Sequence, residues 1–148
     1  MAEVEHSIEI SRPPGEVFAA LNDVSRFHEW QPDLLSASVE GGGPLQVGTK
    51  VTSTRKLGRR ELETKTQVTD FDPPRSYGFR GIDGPVRPIA KGTVEPVGDG
   101  TSSRVTFGLD FEGHGPGKLI LPLLRRRARQ QLAENHQRLK ERLESGGA

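Results

Sequence analysis

Four histidines, one tyrosine and a run of arginines are the residues of this chain with the most evident chemistry. His6, His28, His114 and His136 are spread along the whole length, and none stands at the short spacing by which near neighbours in sequence share a metal ion. Cysteine is absent, which removes thiolate ligands and a disulfide frame and suits a reducing, cytoplasmic setting. No serine sits in a Gly-x-Ser-x-Gly frame, so a nucleophile elbow is missing. The segment EGHGPGKL at 112–119 imitates a phosphate-binding loop. It lacks the first glycine and the closing Ser or Thr of such a loop, and Pro116 removes an amide that the phosphate would need.

What remains are scattered acid–base candidates. Arg55 shares strand parity with Val51 and Ser53, Tyr77 with Phe79, and His6 with Ile8. On interior faces each of these polar groups sits in a mostly apolar lining, needs a partner, and is placed to move a proton. No catalytic role is assigned to a particular residue, and no metal site is expected.

The basic residues are concentrated late in the chain. From Lys118 onward there are eight basic and three acidic residues, against a formal net charge of only +1 for all 148. The run RRRAR at 125–129 has no aromatic residue beside it on which a base could stack, which argues against nucleic acid as a partner. The longer segment LILPLLRRRAR fits transient contact with an anionic membrane surface.

The elements that must position these residues follow from periodicity. Val4, His6, Ile8 and Ile10 alternate with Glu3, Glu5, Ser7 and Glu9, the pattern of a strand with one wet face. Pro13 and Pro14 suit a helix start, and Val17, Phe18 and Leu21 follow at helical spacing. Ser25 is placed to cap a second short helix carrying Phe27 and Trp30. From Leu35 to Phe111 alternating segments are separated by GGGP, Gly58, DPPR, DGP and VGDGTSS, each a turn signal. Consecutive hairpins predict an antiparallel meander with one buried face. One long helix is expected from about Pro116 to Glu144, with Leu121, Leu124, Ala128, Leu132, Asn135, His136, Leu139 and Leu143 on one side. With no linker and no repeat, residues 1–148 read as one domain.

This order of elements resembles the helix-grip fold. SIEISRPPGEVFAALNDVSRFHEWQP at 7–32, VGTK at 47–50, VTDFDPPRSYGF at 68–79, VEPVGDGTSSRVTF at 94–107 and LKERLE at 139–144 resemble the START/Bet v 1-like (SRPBCC) superfamily, in its polyketide cyclase/dehydrase and lipid-transport branch. The resemblance implies an α+β fold: a curved antiparallel sheet of about seven strands wrapped around the long C-terminal helix, with two short helices after the first strand. It implies a cavity between sheet and helix that takes a small apolar ligand, lipid or polyketide-like, without a cofactor. Polyketide cyclisation or dehydration in the same cavity is the alternative. Small or polar residues at interior parity, Ser53, Thr64, Thr66, Gly81 and Gly92, point to open space there. The expected lining is Phe27, Trp30, Ser53, Arg55, Thr64, Thr66, Tyr77, Phe79, Phe107, Leu124, Arg125, Ala128 and Leu132, with Phe18 as a further plug. Arg125 is expected at the mouth, against an acidic head group, while Arg126 and Arg127 turn to water.

Overall fold

A computed structural model describes residues 4–146, so the first three and last two positions of the expected domain lie outside the described residues. The chain runs through strand β1 (Val4–Ile10), helix α1 (Pro14–Leu21) and a 3-10 helix (Val24–Glu29). Six strands follow: β2 (Leu34–Val39), β3 (Lys50–Leu57), β4 (Arg60–Asp72), β5 (Ser76–Asp83), β6 (Val86–Val97) and β7 (Ser102–Gly113). A second 3-10 helix (Gly115–Ile120) leads into α2 (Leu121–Glu144). The strands form one antiparallel sheet in the order β1-β7-β6-β5-β4-β3-β2. Strands β2 to β7 are a plain meander, whereas β1 crosses back to pair with β7, Val4 opposite Leu109 and Ile10 opposite Ser103.

This order explains the two short helices. β1 and β2 are successive in the chain yet lie at opposite edges of the sheet, and α1 with the first 3-10 helix spans the gap between them. Pro14 occupies the first turn of α1, where its missing N–H costs no hydrogen bond. Asn22 ends the helix, its Nδ2 donating to the Phe18 carbonyl at 3.0 Å. Asp23, not Ser25, holds the N-cap position of the 3-10 helix; the Ser25 hydroxyl instead donates to Asp23 Oδ1 at 2.6 Å.

Register shifts between Lys65 and Thr66 and between Val68 and Asp70 bend β4 against β5, and another shift between Leu34 and Ser36 bends β2. Such irregularities sharpen local twist, and together they curl the sheet around α2 in the helix-grip arrangement. The long helix begins later than its apolar pattern suggests. Gly115–Ile120 is 3-10, and the α-helix proper starts at Leu121. Pro122 is the reason: inside a continuous helix its ring would strike the carbonyl of Lys118, and it is tolerated only in a first turn.

The filled part of the interior lies toward the C-terminal half of α2. Ile10, Val17, Phe18, Leu21, Val94, Val105, Leu139 and Leu143 are buried there in one cluster. Glu29 ties the 3-10 helix to this end, accepting from Arg26 Nε and Nη2, both at 2.8 Å, and from Arg142 at 2.7 Å. Those cations hold the Glu29 carboxyl below its ordinary range, the Arg26 hydrogen bond contributing most. Toward the N-terminal half of α2 the sheet stands away from the helix.

Candidate functional site: a cavity between sheet and helix

The space left there is a cavity of about 620 Å³. Strand parity builds one wall: Val51, Ser53 and Arg55 of β3 and Leu62, Thr64, Thr66 and Val68 of β4 all face it. Phe79, Phe107, Leu109 and Phe111 continue the wall across β5 and β7, and Leu124, Ala128 and Leu132 close it from α2. Phe27 and Trp30, from the first 3-10 helix and its end, form one end, edge-on to each other with ring centres 5.8 Å apart. The exposed lining residues Lys56 and Gly58, at the tip of the β3–β4 hairpin, and Arg127, Gln130 and Glu134, on α2, mark the mouth.

The structure therefore brings together every residue of the expected lining except Arg125. That arginine faces β7, where its Nε pairs with Asp110 Oδ1 at 3.2 Å. Arg127 is exposed, as expected, and also borders the mouth of the cavity. A helical wheel gives the angle of a side chain around the helix, but not which strand end flanks it, and Asp110 draws Arg125 away. Phe18 is also displaced from the lining. It packs in the core against Phe71 and Tyr77, with ring centres 5.5 and 5.9 Å away. Nor do Gly81 and Gly92 leave open space. A Cβ on Gly92 would fall within the ring of Tyr77, which lies across it from the neighbouring strand, and one on Gly81 would meet Arg87 Cα at 2.7 Å.

Arg55 is neutralised within the wall. Its Nη1 lies 3.3 Å from Asp33 Oδ2, and its Nη2 donates to Gln31 Oε1 at 2.5 Å. A guanidinium satisfied in this way is not free for an acidic guest.

The floor holds groups of a different kind. His136 borders the cavity, and His6, which does not, meets that ring from behind with the two Nδ1 atoms 3.1 Å apart, one donating and the other accepting. His136 is only 2% exposed, its ring near those of Trp30 and Phe107, at 6.1 and 5.8 Å. Burial, and secondarily the neighbouring His6, pushes its pKa down to about 4, so it is neutral at physiological pH. Burial also lowers His6. Tyr77 stacks on Phe107, 6.1 Å between centres, and burial raises its hydroxyl well above the ordinary phenol value. Asn135 Oδ1 accepts from Gln131 Nε2 at 2.8 Å.

Among the described residues no fully enclosed side-chain nitrogen or oxygen lacks a hydrogen-bond partner. The Tyr77 hydroxyl, Asn135 Nδ2 and His136 Nε2 have no such partner in the protein, yet all three residues are buried and line the cavity. These atoms are therefore open to the cavity. Asn135 and His136 appear in the sequence only as polar interruptions of the inner helix face. Their place beside β1 and their exposure to the hollow could not be read from that pattern. Among the described residues no group of three or more His, Cys, Asp or Glu could hold a metal ion, and none of the helices is long and apolar enough to cross a membrane.

The same architecture recurs in solved structures. A protein of Thermus thermophilus superposes with a TM-score of 0.80 at 17% identity, covering 98% of this chain and 99% of that one. An aromatase/cyclase, Zhui, from a Streptomyces species gives 0.79 at 15% identity, covering 95% and 92%. A START superfamily protein from Mycobacterium smegmatis gives 0.74 at 16% identity, covering 96% and 97%. At these identities the likeness is one of fold. No curated protein sequence matches the chain. The family described as polyketide cyclase / dehydrase and lipid transport matches residues 1–144, so every element that builds the cavity falls within the match, and the chain belongs to that family.

Proposed function

We propose that this protein binds a small, largely apolar molecule, lipid or polyketide-like, between its sheet and α2. The observation that carries this reading is the cavity with its three partnerless polar groups, the Tyr77 hydroxyl, Asn135 Nδ2 and His136 Nε2, set in apolar walls. These groups have no partner in the protein and are open to the cavity, so a guest carrying a carbonyl or hydroxyl at one end can hydrogen-bond with them and be oriented by them. An orienting polar end in an apolar pocket of this size is the usual design of a small-molecule site. The direct test is native mass spectrometry of freshly purified protein, together with titration of an apolar fluorescent probe. Binding at about micromolar affinity, about 8 kcal/mol, is expected. Thr66→Phe fills the space and abolishes binding while the protein stays folded. Unchanged probe affinity in that variant refutes the site.

A second reading, cyclisation or dehydration of a poly-β-keto substrate in the same cavity, is favoured by one specific observation. The neutral imidazole of His136 and the protonated hydroxyl of Tyr77 flank the same ring, Phe107. With His136 Nδ1–H donating to His6, the lone pair of Nε2 faces the cavity and accepts a proton from a methylene between two carbonyls. Tyr77 donates to the carbonyl oxygen on which charge develops. For a binder, Tyr77→Phe alters affinity by about 0.5–1.5 kcal/mol. For a cyclase it costs about two orders of magnitude or more in turnover. A poly-β-keto thioester that yields no cyclised product with the native protein rules out this second reading.

A further inference from the structure

The most exposed large apolar side chain among the described residues is Leu119, at 85%, and Leu123, at 53%, lies one turn further on. Both belong to the segment that leads into α2, and that segment is held firmly. The His114 N–H donates to the Pro85 carbonyl at 2.8 Å, and Gly117 is buried against that same carbonyl so closely that a Cβ would overlap it. A Cβ on Gly113 would meet Lys118 Cα at 2.7 Å. The 3-10 helix is thus clamped onto the β6–β7 end of the sheet, and Leu119 is displayed rather than loosely tethered.

The surroundings carry one sign of charge. Between Glu112 and Glu134 the sequence contains no acidic residue, but it contains Lys118, Arg125, Arg126, Arg127 and Arg129. Arg125 is engaged with Asp110. Lys118, Arg126 and Arg127 are exposed and make no ion pair with the described residues. Leu123, Arg126 and Arg127 stand three and four positions apart on one stretch of helix surface.

From this display of apolar side chains among unpaired cations we infer that the start of α2 docks on an anionic lipid membrane. Leucines that enter the headgroup boundary, ringed by cations that meet lipid phosphates, form the two-part recognition by which amphipathic segments lie on such surfaces. An acidic protein partner would satisfy the cations but leaves two leucines and no groove to receive them. Arg127 belongs both to this surface and to the mouth of the cavity, so docking sets the mouth beside the lipid.

The test is co-sedimentation of the intact protein with vesicles of phosphatidylcholine alone and of phosphatidylcholine mixed with phosphatidylglycerol. Binding to the mixed vesicles only, weakened by added salt, is expected. Leu119→Ser with Leu123→Ser should weaken it about tenfold or more, since each leucine contributes buried apolar area. Arg126→Gln with Arg127→Gln should also weaken it about tenfold or more, each cation near an anionic surface being worth about fivefold. All four positions are exposed, and near-ultraviolet circular dichroism verifies that the variants stay folded. Thr66→Phe, which fills the cavity, should bind vesicles like the native protein, so loss of guest binding and loss of docking are separable. The inference is overturned by absence of binding, by equal binding to both vesicle types, or by leucine variants that bind as before. It is also overturned if the leucine variants only turn a dimer into a monomer, because the patch then covers a second copy of the chain.

Discussion

Lowering the pH from 7 to about 4 should cost this protein several kcal/mol of stability through one side chain. His136 titrates at about 4 in the folded protein against an ordinary value of 6.5. The unfolded chain therefore binds more protons than the folded one between those two values, and stability rises with pH across that window and falls as acid is added. Lowering a pKa by one pH unit is worth about 1.4 kcal/mol, so the loss amounts to about 3 kcal/mol once the pH reaches about 4. For a chain of this length that is about 6–12 °C in Tm. His6 is lowered as well and acts in the same direction. The carboxylates held low by their partners, Glu29, Asp99 and Glu144, lose their contributions only below the ordinary carboxylate value, so the upper part of the window belongs to the histidines. Urea unfolding at pH 7, 6, 5 and 4 measures the slope, and proton NMR of the His136 ring follows its titration directly. His136→Gln keeps a polar side chain but cannot titrate there, and it should flatten the slope between pH 6.5 and 4.5. A native ring that titrates near 6.5, or a variant with an unchanged slope, refutes the assignment of a buried, neutral His136.

Gly92→Ala should destabilise the fold by about 1–3 kcal/mol in urea melts, because its Cβ would fall within the Tyr77 ring and force it from its place between Phe18 and Phe107. Probe binding should weaken in the same variant, since the displaced ring moves into the cavity. Arg125→Gln should change stability by no more than about 1 kcal/mol, as expected for a half-exposed pair with Asp110. It should also leave the relative affinity for a fatty acid and its matching alcohol unchanged. An acid preference that disappears in Arg125→Gln would place that side chain at the mouth after all.

The wall of the cavity was legible because strand parity is a local property. Once Val51, Ser53 and Arg55 are read as one face, the antiparallel partners Thr66, Thr64 and Leu62 follow, and the observed register pairs these very residues. The floor was not legible for the opposite reason. His6 and His136 are 130 residues apart, and their meeting depends on β1 occupying the edge beside β7 while α2 crosses it at one particular height. Neither condition leaves a trace in spacing. Gly81 and Gly92 misled because the absence of a side chain marks either a void or the close approach of something else, and here a neighbouring ring and strand fill the place. Arg125 misled because a wheel carries angle without height. Pro122 was visible throughout, yet the apolar run around it masked the break between the 3-10 and α segments.

The position of β1 also governs the order in which the molecule can be assembled. β2 through β7 pair with their immediate successors, so that meander can zip through short loops. β1 has no such partner nearby; its Ser7 stands across from Thr106, 99 residues further along the chain. Closing so long a loop costs conformational entropy that only the finished β7 edge and α2 can offset. During synthesis the strand with Val4, Ile8 and Ile10 leaves the ribosome long before either of them exists. It remains an unpaired apolar edge for most of translation, the kind of exposed segment on which chaperones act and from which aggregates start. The contact between His6 of β1 and His136 of α2, which backs one side of the cavity, is thus completed last, and until then that side of the hollow has no support.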